Sequence, residues 1–217
     1  MKLVYKFIFF IFFITVIFLS YLSIIGIETD KFNNQIKSKI NNINKDFKIE
    51  LKKIKVILDP FKLKLNVKTA GSILKNQNHS IEIDNIKTQI SIKAWVKKRF
   101  LIENLEISSK SLELNTLIPF LRSIKNSTEL FILEKVIKKG SLIADIKLEF
   151  DREGKIKDNY EIDGFVKDVE VSFLKKYYIR KFNFLFKYKK DNLILEDALV
   201  SLNGLNFLSN NLLIKNI

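Results

Sequence analysis

The side chains that could perform acid–base chemistry in this sequence are carboxylates that alternate with apolar residues. Paired carboxylates can act as a general acid and a general base. Carboxylates at alternating positions, however, lie together on the solvated face of a strand. The residues in question are Glu82, Asp84, Glu103, Glu106 and Asp145. We assign none of them a catalytic role and expect that the chain is not an enzyme.

Nucleophilic, metal and cofactor chemistry find little support either. The sequence has no cysteine and a single histidine, His79, within the polar stretch 75–80. This setting is typical of a surface loop and not of a ligand or a catalytic base. No P-loop, GxGxxG, HExxH, GxSxG or CxxC spacing occurs, and six glycines leave little material for a phosphate-binding loop. We therefore predict no metal site and no cofactor.

The longest apolar segment, residues 7–27, has the length of a transmembrane helix. Its 21 residues carry no charge and would span about 30 Å, the thickness of the hydrocarbon core of a bilayer. Lysines precede this segment, and Glu28 and Asp30 follow it, so the positive-inside rule places residues 1–6 in the cytosol. A cleaved signal peptide would need a shorter apolar region and small residues at the cleavage site. The sequence therefore predicts a retained single-pass anchor.

Residues 29–46 carry apolar side chains at helical spacing. The steps of four and three are typical of an amphipathic helix with Thr29 or Asp30 as the N-cap. The residues concerned are Phe32, Ile36, Ile40, Ile43 and Phe47. We expect this helix to pack on the sheet that follows; the alternative is a helix that lies along the membrane or closes the end of a groove.

From residue 47 to residue 217 the apolar period changes from 3.6 to 2, which indicates β-strands with one apolar face. Two short helices are expected over 116–125 and 129–138. Elsewhere no helix separates consecutive strands, so the connections should be hairpins and the sheet an antiparallel meander. A second sheet, a closed barrel or a bound apolar ligand could each cover its apolar face, and periodicity does not distinguish them.

The formal net charge of +14 is weak evidence about partners. Lys, Ile and Asn are abundant throughout, as biased coding would produce. In the basic window 181–190, Phe182, Phe184 and Phe186 share one parity and point together to an apolar face. They are not arranged for stacking on bases between cations. We therefore predict no nucleic-acid partner.

A family resemblance appears in residues 26–68. The segment contains G-I-E-T-D-K-F-N-N-Q-I followed by I-E-L-K-K-I-K-V-I-L-D-P-F-K-L-K-L-N-V-K and resembles the start of the AsmA-like proteins of Gram-negative bacteria. A weaker similarity continues in F-N-F-L-F-K-Y-K-K-D-N-L-I-L-E-D and G-L-N-F-L-S. The resemblance implies an inner-membrane helix, a short amphipathic helix and a periplasmic antiparallel sheet curved into an open groove, called a β-taco.

The resemblance also implies a function in the cell envelope. Phospholipid acyl chains would slide along the apolar inner face of the groove, and another envelope protein would complete a bridge from the inner membrane. The lining would be Ile54, Val56, Leu58, Leu63, Leu65, Ile90, Ile92, Phe182, Phe184 and Phe186. Family members usually run far beyond 217 residues, so the chain would be a short member or a fragment.

Two other functions stay open on the sequence. The first is a short anchored adaptor, similar to the inner-membrane jelly-roll component of lipopolysaccharide export. The second is a structural or interaction protein in which the apolar face is an ordinary sandwich core and the edge strands bind another envelope protein.

Overall fold

The computed structural model describes residues 2–30, 33–34, 37, 46–93, 102–151, 155–173 and 177–215. Three helices and twelve strands have both ends among these residues. The helices are α1 (Lys2–Ile24), α2 (Leu114–Ile124) and α3 (Thr128–Val136). The strands are β1 (Ile27–Thr29), β2 (Phe47–Glu50), β3 (Ile54–Asp59), β4 (Lys64–Asn76), β5 (His79–Ser91), β6 (Ile102–Ser109), β7 (Leu112–Glu113), β8 (Ile137–Glu149), β9 (Glu161–Phe173), β10 (Tyr177–Lys189), β11 (Asn192–Leu202) and β12 (Leu205–Lys215).

All twelve strands belong to one antiparallel sheet that does not close. Its order is β1-β3-β4-β5-β6-β8-β9-β10-β11-β12, while β2 pairs with β4 and β7 pairs with β8. Neighbours in sequence are mostly neighbours in the sheet, and the two edges of this path are β1 and β12. The predicted fold, a mainly β protein with an open antiparallel meander after an N-terminal apolar helix, is confirmed.

Short turns with left-handed backbone connect the long strands. Asn203 and Gly204 have φ of 48° and 90° and join β11 to β12, as the sequence Asn-Gly predicts for a two-residue hairpin. Lys190 and Asp191 join β10 to β11 in the same way. The turn after β3 is held by the Lys62 backbone N–H, which donates to Asp59 Oδ1 over 3.0 Å. Asp59-Pro60 predicts a break in the strand, because proline cannot donate into a central ladder, and this break is confirmed. The alternation of Phe61 with Leu63 and Leu65 predicts a strand, but Phe61 lies in the turn.

Helix α1 is long and apolar enough to span a membrane. Residues 3–24 have a mean hydropathy of 2.6, and none of the helix is buried against the rest of the protein. The helix ends at Ile24, so the last residues of the predicted anchor, 25–27, lie outside it. Two backbone N–H groups, those of Ile25 and Gly26, donate to the Tyr21 carbonyl over 2.9 and 3.1 Å and close the helix directly before β1.

Both short helices begin one or two residues before the predicted positions. They begin at Leu114 and Thr128, where the sequence predicted residues 116 and 129. The Ser127 side chain caps α3 by accepting from the Leu130 backbone N–H over 3.3 Å. Leu114, which we placed in a strand, is the first residue of α2 and points into the core. The hairpin of α2 and α3 is inserted between β7 and β8.

Several long strands contain a residue with positive φ in their interior. Such residues interrupt the two-residue alternation and bend the strand, as β-bulges do. The five are Gly71 in β4, Gly140 in β8, Asp168 in β9, Lys181 in β10 and Asp197 in β11. The bulge at Asp168 explains why 162–166 and 169–173, which the alternation separates, are one strand. The predicted amphipathic helix 29–46 falls mainly outside the described residues and stays a prediction.

Candidate functional site: the inner face of the sheet

One sheet face is apolar from β3 to β12, and its residues stand in direct register. We call this the inner face. Nine residues, one from each strand of the path after β1, are paired in a continuous line that we call the inner row. The inner row is Ile54, Thr69, Ile86, Ile107, Ile146, Ile162, Tyr188, Leu193 and Ile214.

The adjacent line on the opposite face is entirely polar. This outer row is Lys55, Lys68, Lys87, Glu106, Lys147, Glu161, Lys189, Asn192 and Lys215. Successive side chains of a strand point to opposite faces. The contrast between the two rows is therefore the alternation of the sequence carried across nine strands without a slip of register.

Burial along the inner row decreases with distance from the β1 edge of the sheet. Ile54 and Thr69 are fully or almost fully buried, at 0% and 4% exposed. From Ile86 onward the row is half-buried, and Ile214 on the edge strand is 39% exposed. The inner face is thus covered near β3 and open near β12.

A first self-packed cluster covers the inner face beside the β1 edge of the sheet. It consists of Ile54, Val67 and Ile90, with Val56 and Leu65 packed against it. Four of these five residues, all except Val67, are among the ten that the resemblance assigned to a groove lining. The protein's own side chains fill this part of the face.

A second cluster lies under α2. Leu114, Leu117 and Ile118 of the helix pack on Val166 and Val169 of β9, and all five are buried. The half-buried side chains around them come from five strands, β5 and β7 to β10: Ile81, Leu112, Ile137, Leu142, Val171, Phe182, Phe184 and Phe186. Helix α2 therefore covers one end of the inner face, which the sequence did not predict.

The three phenylalanines of β10 share one face, as predicted, and stack along it. The ring centroids of Phe182 and Phe184 are 4.6 Å apart, and those of Phe184 and Phe186 are 6.3 Å apart with an edge-on geometry. Phe186 lies over Gly164, where an added Cβ would stand 2.6 Å from the ring. Glycine at this position lets the aromatic ring lie flat against β9.

Several polar groups on the inner face pair with one another, whereas the buried Asn76 Oδ1 has no hydrogen-bond partner among the described residues. Thr69 Oγ1 and Ser72 Oγ are 3.2 Å apart, and Asn76 Nδ2 donates to Ser123 Oγ of α2 over 2.8 Å. Tyr188 lies within hydrogen-bonding reach of Tyr160, with 3.4 Å between the two hydroxyl oxygens. This contact raises the pKa of Tyr188 to about 12, so the tyrosine of the inner row stays neutral.

The open part of the inner face lies on β6 and on β8 to β12. Its residues are half-buried by their lateral neighbours, and the principal contacts of β11 and β12 are with adjacent strands. Besides the inner row, this region contains Leu105, Leu148, Leu195 and Leu212. We recognised these alternating residues as strands but did not assign them to the lining, because the register that brings them together cannot be read from the sequence.

The ten predicted lining residues are thus divided among different places. Eight lie on the inner face: Ile54, Val56, Leu58, Leu65, Ile90, Phe182, Phe184 and Phe186. Leu63 lies in the turn before β4 with φ of 51° and a side chain 44% exposed. Ile92 follows β5, and its backbone N–H donates to the Leu63 carbonyl over 3.0 Å. These two residues lie at the strand ends and not within the apolar face.

The carboxylates do not converge on a shared point. Glu82 pairs with Lys110 over 2.7 Å, and this hydrogen bond holds the pKa of the carboxyl below its usual value. Glu103 pairs with Lys64 over 2.6 Å. Among the residues that the structure describes, no group of three or more His, Cys, Asp or Glu side chains is arranged to hold a metal ion.

No family model, curated protein or solved structure matches this chain. The inner face itself is therefore the basis for assigning a function.

Proposed function

We propose that this chain is an anchored protein of the cell envelope whose inner face holds phospholipid acyl chains, as the resemblance to AsmA-like proteins implies. The supporting observation is the inner row. It offers a continuous apolar line from β5 to β12 on an open sheet, and α2 covers only one end of that face.

The energetics of lipid transfer fit an uncharged face of this kind. Each methylene that leaves water for an apolar surface gains about 0.8 kcal/mol. An acyl chain on the open part of the inner face keeps that gain while its headgroup remains in water beyond the strand ends. No catalytic group is needed, so we assign the chain no enzymatic activity.

The placement of the anchor supports the same proposal. α1 leads through Gly26 directly into β1, which pairs with β3 at the register Ile27–Val56. With residues 1–6 in the cytosol, as the positive-inside rule predicts, the sheet would begin at the periplasmic surface of the inner membrane. Strands at about 4.8 Å spacing would then extend the inner face by roughly 40 Å from β1 to β12.

A second candidate is an anchored adaptor or structural protein. The observation that favours it is the pair of self-packed clusters, which fill the inner face beside β3 and under α2. In that function the face is protein core, and the open part would be covered by another envelope protein.

The two candidates differ in what touches Leu195. Leu195 lies on the inner face opposite Phe186 and Leu212, whereas its neighbour Ile194 lies on the outer face opposite Lys187 and Leu213. Both side chains are half-buried and apolar. A photoreactive amino acid at either position, in the full chain within membranes that contain radiolabelled phospholipid, samples the two faces at almost the same point.

We expect lipid adducts at Leu195 and few at Ile194. Equal labelling at both positions, or none at either, would contradict acyl-chain binding on the inner face. A protein adduct at Leu195 without lipid would favour the adaptor.

A further inference from the structure

The hairpin of α2 and α3 exposes several large apolar side chains. Helix α3 has no buried residue, although five of its nine residues are apolar. We call the exposed side chains the hairpin patch: Leu121, Ile124, Phe131, Ile132 and Leu133, each between 37% and 48% exposed. Exposed large apolar side chains that are concentrated on one short hairpin favour an interaction site.

Cations surround the hairpin patch in excess. Residues 121–139 contain five cationic side chains, Arg122, Lys125, Lys135, Lys138 and Lys139, against the carboxylates Glu129 and Glu134. Arg122 is paired with Glu134. Among the described residues none of the four lysines forms an ion pair, although Lys138 Nζ donates to the Lys135 carbonyl oxygen over 2.7 Å. Their positive charge is therefore not neutralised by a paired carboxylate and can attract a ligand outside the chain.

The aromatic residue of the hairpin patch is held between cations. The guanidinium of Arg122 lies 5.1 Å from the centroid of the Phe131 ring, and Lys135 Nζ lies 5.6 Å from it. These contacts fix an apolar ring and two cationic groups side by side. Helices that lie in a bilayer interface combine the same elements, with apolar side chains below the headgroups and Lys or Arg among them.

We propose that the hairpin patch docks on the interface of an anionic phospholipid bilayer. The excess of unpaired lysines complements anionic headgroups, and an apolar helix face surrounded by lysines matches the boundary between headgroups and acyl chains. The bilayer is either the one that holds α1 or a second one that faces it; both present the same chemistry. This inference does not rest on the binding of acyl chains to the inner face.

Fluorescence quenching in proteoliposomes tests the docking. The chain has no cysteine, so Ile132→Cys carries a single environment-sensitive fluorophore. Leu208→Cys on β12, at a residue 77% exposed, is the matched control. The full chain is reconstituted in phosphatidylcholine vesicles with or without phosphatidylglycerol. A lipid-borne quencher is placed either in the protein's own vesicles or in added protein-free vesicles.

We expect a blue shift and quenching at position 132 that require phosphatidylglycerol, with neither at position 208. Quenching in the first arrangement assigns the patch to the anchoring bilayer, and quenching in the second assigns it to an apposed one. Absence of quenching in both arrangements, in protein whose circular dichroism is unchanged, would overturn the proposal. A blue shift without quenching would mean that a protein surface covers the patch, and would overturn it too.

Charge substitutions test whether the lysines of the hairpin, and not the net charge of the protein, determine binding to the membrane. Lys125→Gln with Lys135→Gln removes two cations beside the patch, and each lysine near an anionic surface changes affinity roughly fivefold. We expect the double substitution to weaken the affinity of the hairpin for membranes that contain phosphatidylglycerol about 25-fold. The control, Lys68→Gln with Lys87→Gln, removes two exposed cations from the outer row and should change binding little. If both double substitutions weaken binding equally, the net charge of the protein explains the binding. That result would contradict docking by the hairpin.

Discussion

Gly26 lies against the backbone of Val56, where an added Cβ would stand 2.5 Å from the Val56 carbonyl oxygen. Gly26 also has φ of 76°, a conformation that side-chain-bearing residues rarely adopt. It is the second of the two residues between the end of α1 and the start of β1. The apolar helix and the sheet are therefore joined by a close backbone contact and not by a flexible linker.

Gly26→Ala should destabilise this joint through both strain and contact. A non-glycine residue in the left-handed region costs about 1–3 kcal/mol, and the clash with the Val56 carbonyl adds to it. Hydrogen exchange of the β1 amides should accelerate. Gly204→Ala is the matched control, because Gly204 also has positive φ but nothing within 4 Å of an added Cβ. Equal losses of stability in the two variants would show that the Val56 contact is unimportant.

The cover that α2 forms over the inner face depends on buried side chains of the helix. Phe120 is 1% exposed, and truncation of a buried phenylalanine to alanine costs about 3–5 kcal/mol. We expect Phe120→Ala to lower the free energy of unfolding by that amount, measured with denaturant in detergent. The adjacent Leu121 is 37% exposed, and Leu121→Ala should cost about 0.5 kcal/mol. A small loss for Phe120→Ala would mean that α2 contributes little to the stability of the sheet.

Ion pairs on the outer face of the sheet should make its stability dependent on pH. Lys187 Nζ lies 2.9 Å from Glu161 Oε1, and this hydrogen bond holds the pKa of the Glu161 carboxyl below its ordinary value of 4.5. The same contact raises the pKa of Lys187 above 10.5. The stabilisation is therefore complete between these two values. It is lost as the pH falls through the lowered pKa of Glu161, or rises through the raised pKa of Lys187.

Lys187→Gln should reduce the acid sensitivity of the sheet without abolishing it, because other carboxylates are paired as well. Carbon-13 titration of the Glu161 carboxyl should move its pKa upward toward the ordinary value. Lys68→Gln removes a charge of the same sign from the same face and has no acidic partner in the register of its strand. A similar shift of the Glu161 pKa in that control would attribute the effect to net charge.

Much of the sheet follows from alternation and turn chemistry. Asn203-Gly204 predicts a two-residue hairpin, and the strands on both sides of it are found in the expected places. The register that lines up Ile107 with Ile146 is different, because sliding a strand by two residues leaves its alternation unchanged. The residues of the inner row could therefore not be predicted from the sequence.

The β-bulges and the packing of α2 on the inner face are even harder to predict from the sequence. Asp168 adopts positive φ, and nothing about an aspartate in an alternating run identifies it as a bulge. Gly140 carries a signal in retrospect, since an added Cβ would stand 2.9 Å from Leu114 Cδ1 of α2. From the sequence that glycine marked the end of a helix. Consequently the residues assigned to an open lining, Phe184 among them, are found packed under α2.

This packing decides where a charged substitution can test lipid binding. Phe184→Asp would place a carboxylate in the cluster under α2, where burial of an unpaired charge threatens the fold. Leu195→Asp lies on the open part of the inner face and should leave the protein folded. With the photoreactive amino acid at Leu193, the next inner-face residue of β11, lipid capture should fall about tenfold or more in this variant.

Ile194→Asp is the control for Leu195→Asp, because it adds the same charge one residue away on the outer face. We expect capture at Leu193 to stay close to that of the unsubstituted chain. If both aspartates reduce capture alike, lipid reaches Leu193 without lying on the inner face. If neither reduces it, the acyl chain does not pass Leu195. Either result would contradict acyl-chain binding along the inner face and would favour a surface for protein contacts.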